Sequence, residues 1–197
     1  MALTLIGSLT SPFVRKLRLV CWGRVDLNFE AINYFQPEGE AYLQKVSPIN
    51  KLPILIDGDL KIFDSRVIYN YLAKQNKWPE LTIEQENYLT AIDAITDTCA
   101  NMFLYKKGGM DLEGDNWYLD RQRQRLPSIL EYLKPLAKSL SANKPEDWNF
   151  MSMSLFSFYY WAEFRKLVDL SPYPEAKAFL EAFKNKPGVK ETTLPES

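Results

Sequence analysis

A chain of 197 residues with 24 Lys and Arg against 25 Asp and Glu has a near-zero net charge, which argues against a nucleic-acid partner held by bulk charge. It contains no His, which removes His general bases, His metal sites and His pH switches together. At 46% hydrophobic it has ample material for a core, while no uninterrupted apolar run reaches the ~18 residues that a membrane span needs.

Leu3 to Ile6 is a short apolar strand stopped by Gly7. Ser8 to Pro12 is a polar turn, and Pro12 suits the first position of a helix reaching about Arg24, because its missing N–H is not needed there. Phe13, Leu17, Val20 and Cys21 recur at helical spacing, and Arg15, Lys16 and Arg18 read as the wet face. Phe29 to Asn33 is a second strand, and Gly39 to Val46 a short helix before Ser47-Pro48. Leu52 to Ile56 and Leu60 to Phe63 are strands joined at Asp57-Gly58, a pair suited to a type I′ turn with positive φ at both central positions. Asp64-Ser65 then caps a helix whose buried face is Val67, Ile68, Tyr71 and Leu72. This β-α-β-α-β-β-α order is the thioredoxin-like arrangement. It defines a first domain over residues 1–76, followed by a linker in which Pro79 disfavours helix at Trp78.

From residue 83 to 197 the chain reads as an all-helical bundle, so the fold class is α+β. Tyr88, Leu89, Ile92, Ile95, Cys99, Met102 and Phe103 form one stripe between Ile83 and Lys107, and Gly108-Gly109 end it. After a polar acidic loop to Asn116, Leu126, Ile129, Leu130, Leu133 and Leu136 mark a helix in which Pro127 and Pro135 call for a break or kink. Asn149 is the expected cap of the apolar helix that follows, with Ser152 three residues on. Tyr173 to Lys184 is the last helix, ended by Pro187-Gly188. Cys21 and Cys99 are far apart without a CxxC pairing and read as reduced core thiols. The start, MALTLIGSLTSP, lacks the charged and apolar regions of a signal peptide, so a cytoplasmic protein is expected.

Three fragments in order carry a family resemblance. Thr10 to Leu19 (TSPFVRKLRL) resembles the first helix of bacterial glutathione transferases. Asn50-Lys51-Leu52-Pro53-Ile54-Leu55 with Asp64-Ser65-Arg66-Val67-Ile68 resembles the glutathione-binding half of the cytosolic family. Ala162 to Arg165 and Tyr173 to Val189 resemble the end of its helical domain. The resemblance implies a cis bond before Pro53, with the Leu52 backbone offered to the cysteinyl part of glutathione and Asp64-Ser65 holding the γ-glutamyl end. Lys51 is a candidate partner for the glycine carboxylate. It further implies a homodimer, glutathione as co-substrate without a metal, a small hydrophobic electrophile, and a detoxification role as a transferase. The electrophile pocket is expected to be walled by the first helix-turn and by the helix from Ile83, with Phe13, Asn101, Phe103, Tyr105 and Trp161 as candidate lining.

The family chemistry needs the glutathione thiol as a thiolate. Lowering a thiol pKa of about 8.5 by two units takes roughly 2.7 kcal/mol of preferential stabilisation. One hydroxyl donating to the anion supplies about 1.5–3 kcal/mol, and a helix N-terminus about 0.3–1 more. Ser11, ahead of Pro12 at the mouth of the first helix, is the catalytic candidate, with Thr10 and Ser8 as alternates. Ser11 is also a natural helix cap, and the two roles are compatible because a hydroxyl rotates. No Tyr lies near the first strand, and no Cys is there to run disulfide exchange. A second class of function stays open: relatives of this fold that act as binding proteins on transcription or stress partners. Those often lose the acid-Ser pair, which is intact here.

Overall fold

The structure, a computed structural model, describes residues 3–112, 114 and 116–195, so Glu113 and Asp115 of the expected acidic loop lie outside the described residues. The chain divides into two units, residues 1–80 with 186–197, and residues 81–185.

In the first unit β1 (Leu3–Gly7) pairs in parallel with β2 (Leu27–Ala31) and antiparallel with β3 (Ile54–Asp57), which pairs antiparallel with β4 (Leu60–Phe63). The sheet order is β2-β1-β3-β4. The parallel β1–β2 pair is bridged by the helix α1 (Pro12–Cys21), as a parallel crossover requires. Ile6, Leu43 and Ile54 make a core on one sheet face, where α2 (Pro37–Val46) lies and Leu52, Ile56 and Phe63 add to it. Leu5, Leu55 and Ile62 share register rows and point to the other face by the two-residue period. The helix α3 (Ser65–Asn76) packs with α1 and along β3 and β4. This is the thioredoxin-like arrangement.

Four local expectations are corrected. The β3–β4 loop is Gly58-Asp59, one residue later than Asp57-Gly58, and only Gly58 has positive φ (58°), so the turn is not type I′. In α3 the inward residues are Ile68, Tyr69 and Leu72, while Val67 is 52% exposed. Arg15 and Lys16 are not a wet face: they are 1% and 2% exposed. The reason lies at the other end of the chain. Arg15 donates from Nε to Thr192 Oγ1 and from an Nη to the Val189 carbonyl, each at 3.3 Å, and Arg18 donates to the Glu191 carbonyl at 3.1 Å. The segment from Lys186 therefore belongs with the first unit, not with the helical domain expected to reach residue 197. Gly188, at φ 85°, comes so near that an added Cβ would lie 3.0 Å from the Trp22 side chain.

The second unit is all α-helical, apart from a short 3₁₀ turn: α4 (Ile83–Lys107), α5 (Trp117–Leu140), α6 (Phe150–Arg165) and α7 (Pro174–Phe183). The helix α5 runs unbroken through Pro127 and Pro135 and begins nine residues before Leu126, at the Asn116 cap. Packing of Leu130, Leu133, Leu136, Ala137 and Leu140 overrides the local proline penalty. Phe150 to Tyr159 of α6 are all buried, and its serines stay satisfied: Ser154 Oγ donates to the Phe150 carbonyl and Ser157 Oγ to the Met153 carbonyl, both at 2.7 Å. Among the described residues no helix is long and apolar enough to cross a membrane.

Candidate functional site

Strand register brings three sequence-distant segments to one end of the sheet. Ile6 at the end of β1 lies opposite Ile54 at the start of β3, and Ile54 lies opposite Phe63 at the end of β4. The Ser8–Ser11 turn, the Leu52-Pro53 pair and Asp64-Ser65 follow or precede those residues directly, so all three sit there. Both α1 and α3 begin at this end. The first-turn N–H groups that their caps leave open and the positive ends of their dipoles make it a place that favours anions.

At the α1 mouth, Ser11 is the N-cap, its Oγ accepting from the Val14 N–H at 3.3 Å. That bond uses an oxygen lone pair and leaves the hydroxyl proton to donate. The other two hydroxyls are turned on each other. Ser8 Oγ is 3.3 Å from Thr10 Oγ1 and accepts from the Thr10 N–H at 3.4 Å, and Ser8 is only 8% exposed.

At the α3 mouth, Asp64 has φ 71° and ψ 133°, outside the regions that L-residues ordinarily occupy. Such a conformation costs on the order of 1–3 kcal/mol and persists only where surrounding structure enforces it. Asp64 Oδ1 accepts from the Arg66 N–H at 2.8 Å and the Val67 N–H at 3.2 Å, while the residue is exposed and Oδ2 has no hydrogen bond among the described residues. Ser65 follows, 3% exposed. Nothing in the sequence signalled the positive φ, since Asp at a helix start ordinarily caps from an extended backbone.

Between these mouths the Leu52–Pro53 bond is cis. Leu52 lies outside the β3 ladder, and its N–H and C=O take no backbone hydrogen bond among the described residues. A backbone donor and acceptor in that state are open to a peptide ligand or to water. Lys51 is exposed, and its carbonyl accepts from Ser47 Oγ at 3.5 Å.

The lining candidates divide between the units. In the first, Phe13 is half-buried with the Lys16 Nζ 5.2 Å from its ring centroid. In the second, Phe103 and Trp161 meet edge to face with centroids 6.5 Å apart, and Trp161 is 4% exposed. Asn101 is exposed on α4 and Tyr105 half-buried there. Arg165, at the end of the family-like fragment from Ala162, has its guanidinium over the Phe103 and Phe164 rings, a placement that sequence does not signal. Cys21 and Cys99 are buried, and burial pushes each thiol up to about 12, so neither supplies a thiolate near neutral pH.

Residues 5–80 match the family model described as the glutathione S-transferase N-terminal domain. That match covers less than half of the chain and shows this segment to be similar to the N-terminal domain of glutathione S-transferases. Among curated relatives, glutathione S-transferase F10 of Arabidopsis thaliana is 40% identical over 68 residues, covering 30% of this chain and 31% of that protein. The uncharacterized GST-like protein YibF of Escherichia coli strain K12 is 33% identical over 78 residues, covering 39% and 38%. These matches span about a third of each relative's length. The fold extends further: a glutathione S-transferase of Methylobacillus flagellatus KT, solved with GSH bound, superposes over 98% of this chain and 100% of its own with a TM-score of 0.81 at 21% identity.

Proposed function

We propose that this chain binds glutathione at the α1/α3 end of its sheet and holds the thiol as a thiolate for attack on a small hydrophobic electrophile. The observation that carries this reading is Asp64: a strained, exposed residue whose Oδ1 caps α3 and whose Oδ2 is left for a cation. The ammonium of a γ-glutamyl group is such a cation, and a charge-assisted hydrogen bond is roughly twice as strong as a neutral one. Ser65 takes the γ-glutamyl carboxylate through its hydroxyl and its own N–H, the first-turn donor of α3 that the Asp64 cap leaves open. The Leu52 N–H and C=O pair with the cysteinyl backbone in the manner of an added strand. Lys51 meets the glycine carboxylate.

Ser11 then donates a hydrogen bond from its hydroxyl to the sulfur, its proton staying on oxygen, aided by the α1 N-terminus. The thiol proton passes to water, and the thiolate forms the new carbon–sulfur bond as the electrophile's leaving group departs or its double bond takes up the electron pair. Ser8 and Thr10, engaged with each other, are less well disposed for this role than Ser11. The protein acts as a homodimer. The intact Asp64-Ser65 start favours this enzyme over a purely partner-binding role.

Calorimetric titration with glutathione and with cysteinylglycine, which lacks the γ-glutamyl group, tests the reading. Glutathione is expected to bind about 10- to 150-fold more tightly, matching the ~1.5–3 kcal/mol of a charged hydrogen bond. Equal affinities, or no binding of either, contradict it.

A further inference from the structure

The helical unit carries a cation that the glutathione chemistry does not use. Arg165 stands in the last turn of α6, half-buried, with its guanidinium carbon 5.0 Å from the centroid of Phe103 on α4 and 5.0 Å from that of Phe164. Its Nε is shut off from water without a hydrogen-bond acceptor. The ring faces engage the charge but accept no conventional hydrogen bond, so the planar fork of five N–H donors has only these aromatic contacts among the described residues. The negative end of α6 explains a cation at this position but not its idle donors. Two of the end carbonyls that such a residue could satisfy already have partners. Leu167 N–H donates to the Ala162 carbonyl at 3.0 Å and Lys166 N–H to the Glu163 carbonyl at 3.1 Å.

Buried polar donors are ordinarily paired, and a desolvated charged donor without an acceptor is among the less favourable arrangements a fold retains. The group that answers a guanidinium fork is a planar oxyanion taking two parallel N–H bonds. The group that answers the Phe103–Trp161 edge-to-face pair beside it is an aromatic ring, which aromatic side chains hold offset or edge-on. We infer that Arg165, Phe103 and Trp161 form a subsite for an aromatic carboxylate, the carboxylate on the Arg165 fork and the ring against the Phe103–Trp161 pair. The subsite lies wholly in the helical unit and stands whether or not the first unit takes glutathione.

Calorimetric titration of the full chain, without glutathione, with 4-nitrobenzoate and its neutral counterpart 4-nitrobenzamide reads this directly. The benzoate is expected to bind about 10- to 150-fold more tightly than the amide, the factor that one charge-assisted pair supplies. In Arg165→Met that preference is expected to fall to within about threefold. In Arg165→Lys, which keeps the charge but loses the fork, an intermediate preference is expected. Circular dichroism and thermal melting select folded variants, and Arg165→Lys serves if Arg165→Met does not fold. Equal binding of the two ligands by the parent overturns the inference, as does a benzoate preference that survives either substitution unchanged. Dissociation of an oligomer by Arg165→Met, with benzoate binding unaltered, also overturns it and assigns the fork to a carboxylate of a second copy.

Discussion

Two helix starts in this chain are built from similar parts to opposite ends. At the start of α6, Asn149 caps from an ordinary extended backbone (φ −127°), its Oδ1 accepting from the Met151 and Ser152 N–H groups at 3.1 and 3.3 Å. Ser152 Oγ reciprocates by accepting from the Asn149 N–H at 3.1 Å, and Ser152 is fully buried. At the start of α3, Asp64 also bridges two N–H groups through one oxygen, but from φ 71°, in the open, with Val67 at the reciprocating position. The α6 cap closes on itself and serves the fold. The α3 cap holds strain and leaves a carboxylate oxygen unengaged, the pattern of a group kept for something that is not part of the chain.

The largest expected effect divides the two starts by function. Asp64→Ala is expected to weaken glutathione binding about 10- to 150-fold, while Asn149→Ala leaves it within twofold of the parent, both by calorimetry. An Asp64→Ala protein that binds like the parent removes α3 from the site. Next in size is the reverse effect on stability. Losing the closed cap in Asn149→Ala is expected to lower unfolding free energy by about 1–2 kcal/mol in denaturant titrations.

A third expectation is common to both units, each of which holds one buried thiol. The folded pKa values of Cys21 and Cys99, about 12, lie above the ordinary 9.0, so their contribution is complete below pH 9 and lost as pH rises towards 12. By pH 10 each thiol is expected to subtract on the order of 1 kcal/mol, read as a lower melting temperature in both units. Thiol-reactive dyes are expected to label neither Cys before unfolding. The smallest effect carries the most telling sign. Asp64→Gly relieves the positive φ and is expected to raise stability by up to about 1 kcal/mol even as glutathione binding falls. Asn149→Gly has no strain to relieve and is expected to lower it by a few tenths. Like signs for the two glycine variants contradict the contrast drawn between the caps.

Much of this was readable from the chain because local signals agreed with the fold. Asn149 with Ser152 and Asp64 at its helix start are caps whose chemistry acts within four residues. What escaped was non-local. The burial of Arg15 is decided by Val189 and Thr192, more than 170 residues away, and no periodicity within α1 reports it. The unbroken α5 is held by its leucine face against the local preference of Pro127 and Pro135. At the site, the family resemblance pointed to Asp64, Ser65 and Leu52 and a hydroxyl at a helix mouth to Ser11, but the gathering of their segments at one sheet end is a property of strand register. The contacts of Arg165 are not legible in sequence, because an Arg in the last turn of a helix is ordinarily a solvated complement to the dipole.

The central claim, that the α1 mouth holds glutathione as a thiolate through Ser11, is tested most directly by following the ultraviolet thiolate absorbance of protein-bound glutathione against pH in the parent and in Ser11→Ala. The account predicts a midpoint in the parent about two units below the ~8.5 of a free thiol. It predicts a midpoint one to two units higher in Ser11→Ala, with glutathione affinity unchanged at low pH, where the sulfur is neutral. A parent midpoint near that of the free thiol, or one that Ser11→Ala leaves in place, contradicts it.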